Sequence, residues 1–197
     1  LTIINGPPGT GKTYMVRALT KDIAPANIML IPQSMVGEID GPSLLPLLMD
    51  VKTSKSYTNY DWATEDDKNR TKMPIVLILE DADACLVPRE SDNASVVSSL
   101  LNYTDGLFGQ LLDIRVIATT NAESLEFDQA YMRPGRLCAH INIGTIPREK
   151  ARGIYNRLTD KNKFDDSKKD YTLAEIYAQA KDWMKDKKVD KKVGFGI

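Results

Sequence analysis

The chain has little of several things that would steer its reading. Among its 197 residues are two cysteines and one histidine, and the formal net charge is −1. Cys85 and Cys138 lie far apart with no C-x-x-C spacing, which argues against a disulfide framework or a metal site. It points instead to a reducing, cytoplasmic compartment in which both thiols fill small buried apolar roles. His140 sits in an apolar, strand-like run and reads as structural rather than catalytic. Near-neutral charge leaves no basic stripe for nucleic acid. The lysines of the last third are interspersed with Asp and Glu, as on a solvated helical surface. No apolar segment approaches the length of a membrane span. Leu1 opens directly on a strand pattern, so a further segment upstream is expected.

What the chain does have is the run Gly6-Pro7-Pro8-Gly9-Thr10-Gly11-Lys12-Thr13, which fits the phosphate-binding pattern G-x-x-x-x-G-K-[ST]. An apolar strand candidate precedes it, and a helix with Met15, Ala18 and Leu19 at helical spacing follows. Strand, glycine loop and helix form the context the pattern requires. The glycines let backbone N–H groups converge on phosphate oxygens, and the helix start offers further unpaired N–H groups. Lys12 would reach the β- and γ-phosphates, and the Thr13 hydroxyl would ligate Mg²⁺. A nucleoside triphosphate and Mg²⁺ are therefore the expected ligands.

Apolar, β-branched runs recur between helical stretches, as in a parallel sheet covered on both faces. Strands are expected over 1–5, 28–31, 75–80, 114–119 and 140–143. Helices are expected over 12–23, 43–51, 93–103 and, briefly, 128–132. The segment 52–72 is polar and aperiodic, and reads either as a surface loop or as a partner-facing insertion. From Pro147 the pattern turns helical, with Ala151, Ile154, Tyr155 and Leu158 on one stripe and a second helix over 173–180. The expected organisation is an α/β core over 1–146 and a small helical unit over 147–197.

Val76-Leu77-Ile78-Leu79 runs straight into Glu80-Asp81-Ala82-Asp83. An apolar strand ending in carboxylates places them at a sheet edge, where one can hold the Mg²⁺ shell and the next can orient or deprotonate water. A helix N-cap is the plain alternative for Asp83. Asn121 ends another strand and could bond the γ-phosphate or the attacking water, or simply form a turn. Arg133 and Arg136 flank a Pro-Gly turn. They are either surface residues or fixed charges presented to a phosphate in a neighbouring subunit.

Together GPPGTGKT, LILEDAD, LLNYTDGL, IATTN and YMRPGR resemble, in order and spacing, the AAA family of the AAA+ ATPases, over roughly residues 1–157. The resemblance implies a P-loop α/β fold, with a five-stranded parallel sheet between helices, the phosphate-loop strand at its centre and a helical lid behind it. It also implies a ring of like subunits, usually six, with ATP between neighbours. On that basis Gly6–Thr13 is Walker A and Glu80-Asp81 is Walker B. Asn121 is the first sensor, and Arg133 and Arg136 are arginine fingers. Most of the family has Asp then Glu at Walker B. Here Glu80 takes the metal-shell position and Asp81, one methylene shorter, the catalytic one. The same order is similar to the Bcs-type branch, which moves a folded iron–sulfur protein across the mitochondrial inner membrane, and only the site chemistry is carried over from it. Met35-Val36-Gly37-Glu38 is similar to the aromatic-Val-Gly-Glu loop of polypeptide-threading members. No arginine matches the second sensor.

These readings imply an ATP-hydrolysing motor that remodels or translocates a protein substrate. A slow-hydrolysing switch or scaffold, and a DNA-acting member of the family, are the other classes that the sequence leaves open.

Overall fold

The computed structural model describes residues 1–23, 25–32, 34–35, 44–53, 73–86, 107–122, 131, 133, 135–159 and 163–186. The chain divides into two compact units, one formed by Leu1–Gly6 with Lys12–Asn142, the other by Pro7–Gly11 with Ile143–Ile197.

The first unit is built on β1 (Thr2–Asn5), β2 (Asn27–Ile31), β3 (Ile75–Leu79), β4 (Ile114–Thr120) and β5 (Ala139–Asn142). All pairings are parallel, in the order β2-β3-β4-β1-β5. The centre of the sheet is therefore β4, and the phosphate-loop strand β1 lies one place in from the edge. Period and composition mark a strand but carry no information on its neighbours, so the expectation of a central β1 is corrected here.

Helices α1 (Lys12–Asp22), α2 (Leu44–Thr53), α3 (Asp83–Leu86) and α4 (Leu107–Leu112) belong to this unit. Every residue of β3 is buried, as its unbroken run Ile75-Val76-Leu77-Ile78-Leu79 requires of a strand covered on both faces. Because side chains alternate along a strand, Ile3, Ile75, Leu77, Leu79, Ile114, Val116 and Ala118 share one core with Leu48, Leu86 and Tyr131. The inward stripe of α1 is Lys12 and Val16, with Met15 and Leu19 half-buried beside it. Ala18 faces outward, so the stripe is rotated from the one expected.

The second unit contains α5 (Arg148–Leu158), α6 (Leu173–Asp186) and a small antiparallel two-stranded sheet of β6 (Ile146–Pro147) with β7 (Asp170–Tyr171). Ala151, Tyr155, Tyr171, Ile176 and Ala180 form its core, with Ile154, Leu158 and Phe164 packed on it. The Phe164 ring stands 5.4 Å from that of Tyr155 and 4.9 Å from that of Tyr171, tilted against both. No side chain caps α5. Its Arg148 N–H instead donates to the Lys169 carbonyl at 3.0 Å, which meets the need of an otherwise orphaned helix donor. At α6 a capping box does that work. Glu175 accepts from the Thr172 N–H at 2.7 Å, and the Thr172 hydroxyl accepts from the Glu175 N–H at 3.3 Å.

The expected helix over 93–103, that over 128–132 apart from Tyr131, the segment 54–72 and the chain beyond 186 lie outside the described residues. Lys52 and Thr53, expected to open a loop, instead close α2. Cys138 is exposed, against the buried role expected of it. It stands at the entry to the edge strand β5, where its backbone N–H donates to the Leu1 carbonyl at 2.7 Å. The Cys85 side chain lies outside the description. No helix among the described residues is long and apolar enough to cross a membrane.

Candidate functional site

Parallel pairing brings the C-terminal ends of β1, β3 and β4 to one edge of the sheet. In open α/β sheets that edge is where ligands bind. It gathers Gly6, Glu80-Asp81 and Asn121, and α1 opens there with Lys12.

Lys12 is nearly buried, at 7% exposed. Its Nζ donates to the Gly6 carbonyl at 2.8 Å and to Asn121 Oδ1 at 2.8 Å. The Asn121 amide turns its other end outward, Nδ2 donating to Asp81 Oδ1 at 3.4 Å. Lysine, amide and carboxylate thus form one chain of hydrogen bonds. Burial pushes the Lys12 ammonium below its usual range, because water no longer solvates the charge. The Asp81 and Asp83 carboxylates push it back up. The sequence placed Lys12, Asn121 and Asp81 in one site, and the structure brings these three together.

The turn after β3 is sewn to the end of β4. The Asp81 N–H donates to Thr119 Oγ1 at 3.1 Å and the Ala82 N–H to the Thr119 carbonyl at 2.8 Å. Asp81 is left-handed, with φ of 50°, a conformation Asp and Asn adopt more readily than most side chains. Asp83 was expected either to share the metal chemistry or to cap a helix. Its described bonds do neither: Oδ1 accepts from the Thr120 hydroxyl at 2.7 Å, the Asn121 N–H at 3.1 Å and the Ala122 N–H at 3.0 Å. A cap and a cross-strand clasp need the same residue type, so only distance separates them. Asn5, buried at the end of β1, was missed as well. Its Nδ2 donates to the Ala122 carbonyl at 3.4 Å, and its Oδ1 lies 3.0 Å from His140 Nε2. His140, on the edge strand β5, is thus tied to the end of β1 while its side chain remains largely exposed.

The described hydrogen bonds leave the Thr13 hydroxyl and the Glu80 carboxylate outside the cluster, both half-buried. No three acids or imidazoles converge as a protein-only metal cage among the described residues. One hydroxyl and one carboxylate fit Mg²⁺ all the same, since that ion takes few protein oxygens and completes its shell with phosphate and water.

The loop Pro7–Gly11 belongs to the second unit. The Thr10 hydroxyl donates to the Pro7 carbonyl at 2.9 Å, and the Ala174 N–H at the start of α6 donates to the Gly9 carbonyl at 2.9 Å. Gly9 and Gly11 have φ of 80° and 101°, and a Cβ on either would come within 3.0 Å of Ala174 Cβ or Leu173 Cδ2. The positive φ favours glycine at both positions, and the close approach of Ala174 adds to that at Gly9. Pro7, Pro8 and Gly9 are exposed, while Thr10 is buried.

Arg133 and Arg136 lie on a turn closed by the Arg136 N–H donating to the Arg133 carbonyl at 3.1 Å, with the Leu1 amino group on the Arg136 carbonyl at 3.0 Å. Tyr131, fully buried, anchors the segment in the core, and Arg133 is exposed. Neither guanidinium is among the described partners of Lys12, Asn121 or Asp81. Met35 is 54% exposed just beyond β2, and 36–38 lie outside the described residues.

Residues 2–145 match the AAA family, described as the ATPase family associated with various cellular activities, and the chain belongs to that family. It is 34% identical over 172 residues to the ATPase family gene 2 protein of Schizosaccharomyces pombe, covering 80% of this chain and 19% of that one. To the AAA ATPase forming ring-shaped complexes of Kocuria rhizophila it is 29% identical over 163 residues, covering 78% and 28%. To the proteasome-activating nucleotidase of Methanopyrus kandleri it is 31% identical over 161 residues, covering 76% and 32%. The chain thus spans between 19% and 32% of the length of these curated relatives.

Proposed function

We propose that this chain is the ATP-hydrolysing module of a ring-forming AAA protein that remodels or moves a protein substrate. The observation that carries the reading is the buried Lys12, whose ammonium is held by the Gly6 carbonyl and by Asn121, itself bonded to Asp81. An ammonium largely withdrawn from water, with neutral oxygens among its partners, can exchange those for phosphate oxygens, which bind it more strongly.

When Lys12 turns to the β- and γ-phosphates, Asn121 is released to face the γ-phosphate and the attacking water. Asp81, beside it, accepts the proton of that water. The loop N–H groups and the start of α1 hold the remaining phosphate charge. Thr13 and, through water, Glu80 would hold Mg²⁺, which neutralises charge on the phosphate oxygens. Arg133 and Arg136 are assigned to the neighbouring subunit's ATP, a role supported by their fixed turn and the exposure of Arg133. The ring is supported by the relative named for forming ring-shaped complexes, and the protein substrate by the relative named as proteasome-activating.

One observation favours a second reading. Asp81 is shorter than the family's usual Glu and already accepts from Asn121, which suits a nucleotide switch that turns over slowly. Lengthening the acid by Asp81→Glu separates the two: a large gain in rate marks the switch, and a loss marks Asp81 as fitted to its water. The primary reading is tested by Mg²⁺-dependent phosphate release. Lys12→Ala should lose ATP binding, and Asn121→Ala should keep it while losing turnover. Equal phosphate release by Lys12→Ala and the native chain would overturn the assignment.

A further inference from the structure

We infer that Asp83 is a positioning residue for hydrolysis, acting through Asn121 rather than on nucleotide or metal. The inference rests on the proposed ATPase reading and adds to that site a residue with no reacting role.

The β4 ladder with β1 ends at Thr120, opposite Asn5, and that with β3 ends at Ala118. Beyond Thr120 the sheet no longer dictates the backbone of Asn121. Asp83 takes over at that point. Its single oxygen Oδ1 collects the Thr120 hydroxyl and the consecutive N–H groups of Asn121 and Ala122, at 2.7, 3.1 and 3.0 Å. Three donors on one carboxylate oxygen are charge-assisted bonds and among the stronger a neutral loop can make. They fix the peptide planes on both sides of the Asn121 Cα. The Asn121 side chain then has to span Lys12 Nζ and Asp81 Oδ1 from that anchored point. Asp83 also starts α3, whose Leu86 N–H donates to the Ala82 carbonyl at 3.1 Å. The clasp therefore ties Asn121 to the same turn that carries Asp81, and the two move together.

A side chain that must orient water tolerates little displacement, and a shift of about 1 Å at such a group costs about 10²-fold in rate. Asp83→Ala should lower kcat by about 10- to 100-fold with the KM for ATP little changed, because no described bond of Asp83 reaches the phosphate loop. Asp83→Asn keeps an oxygen that accepts the same bonds and should recover most of the loss, which also controls for misfolding. In an Asn121→Ala background, Asp83→Ala should have no further effect on kcat. The preference for ATPγS over ADP, measured by titration, should fall in Asp83→Ala as it does in Asn121→Ala.

Three results would overturn the inference: full kcat in a folded Asp83→Ala, an undiminished loss in the Asn121→Ala background, or no recovery by Asp83→Asn. If the native chain binds ATP and never hydrolyses it, the ATPase reading fails. The ATPγS–ADP preference then decides the role of Asp83, an unchanged preference counting against it.

Discussion

Replacing Gly9 by alanine tests the phosphate loop as a packed element rather than a flexible one. Three glycines of left-handed φ offer a graded series. At Gly135, with φ of 91°, a Cβ would meet nothing within 4 Å, so Gly135→Ala incurs only the backbone strain, about 1–2 kcal/mol. At Gly11 the Cβ would lie 3.0 Å from Leu173 Cδ2, the far end of a side chain that can turn away. At Gly9 it would lie 3.0 Å from Ala174 Cβ and 3.4 Å from Thr172 Oγ1. Neither atom can rotate aside without disturbing the helix start and its capping box. Overpacking of that kind adds about 1–3 kcal/mol to the strain. Gly9→Ala should therefore exceed Gly135→Ala by about 2 kcal/mol, or about 4–8 °C in melting temperature for a chain of this size. Hydrogen exchange supplies the local readout, since the Ala174 N–H that donates to the Gly9 carbonyl should lose protection in Gly9→Ala and keep it in Gly135→Ala. Equal destabilisation by the two substitutions, with Ala174 still protected, would show that the loop does not pack on α6 as described.

Asp81→Asn should bind ATP with little change and lose turnover by about 10²–10⁴-fold, the usual worth of a general base, read by phosphate release. Arg136→Ala should also bind normally, and its turnover should fall by about 10³-fold or more if it serves a neighbour's ATP; mixing it with the native chain would reveal the trans effect. Thr172→Ala removes the hydroxyl half of the α6 capping box and should cost about 1 kcal/mol in denaturant unfolding. The Glu175 carboxylate is held below its ordinary value near 4.5, first by the Lys168 ammonium and then by the Thr172 N–H. Its contribution to α6 is fully present above that ordinary value and is lost as pH falls through the lowered one. Protection of the first α6 amides should therefore decline below pH 4.5, and Glu175→Gln should remove that pH dependence.

The strands were legible to within a residue or two because β3 is an unbroken apolar run and β4 is apolar or β-branched apart from the exposed Arg115, and a buried parallel strand is written largely that way. The stripe Ala151, Ile154, Tyr155 and Leu158 is legible for the same kind of reason, since a period of 3.6 marks an amphipathic helix. The β6–β7 pairing was not legible. Two strands of two residues, one containing Pro147 and the partner more than twenty residues on, carry no period. Helix α4 was missed because its six residues include Gly109 and follow Asp105-Gly106, which reads as the end of a helix. In the site, Lys12, Asp81 and Asn121, which the structure links by hydrogen bonds, could be named as candidates because each residue type suits the expected chemistry at its spacing. Asp83 and Asn5 were not assigned their part, because a clasp across strands depends on strand order, and the sequence does not encode that order locally. Asn5 reads simply as the last residue of a strand, and its partners Ala122 and His140 lie more than a hundred residues away.

The most direct test of the account is Mg²⁺-dependent ATP hydrolysis per subunit as the protein concentration is raised. Specific activity that climbs with concentration and collapses in Arg136→Ala is predicted by the proposal that a neighbour's arginine completes each site. A flat, near-zero rate from a chain that still binds ATP would contradict hydrolysis in a ring.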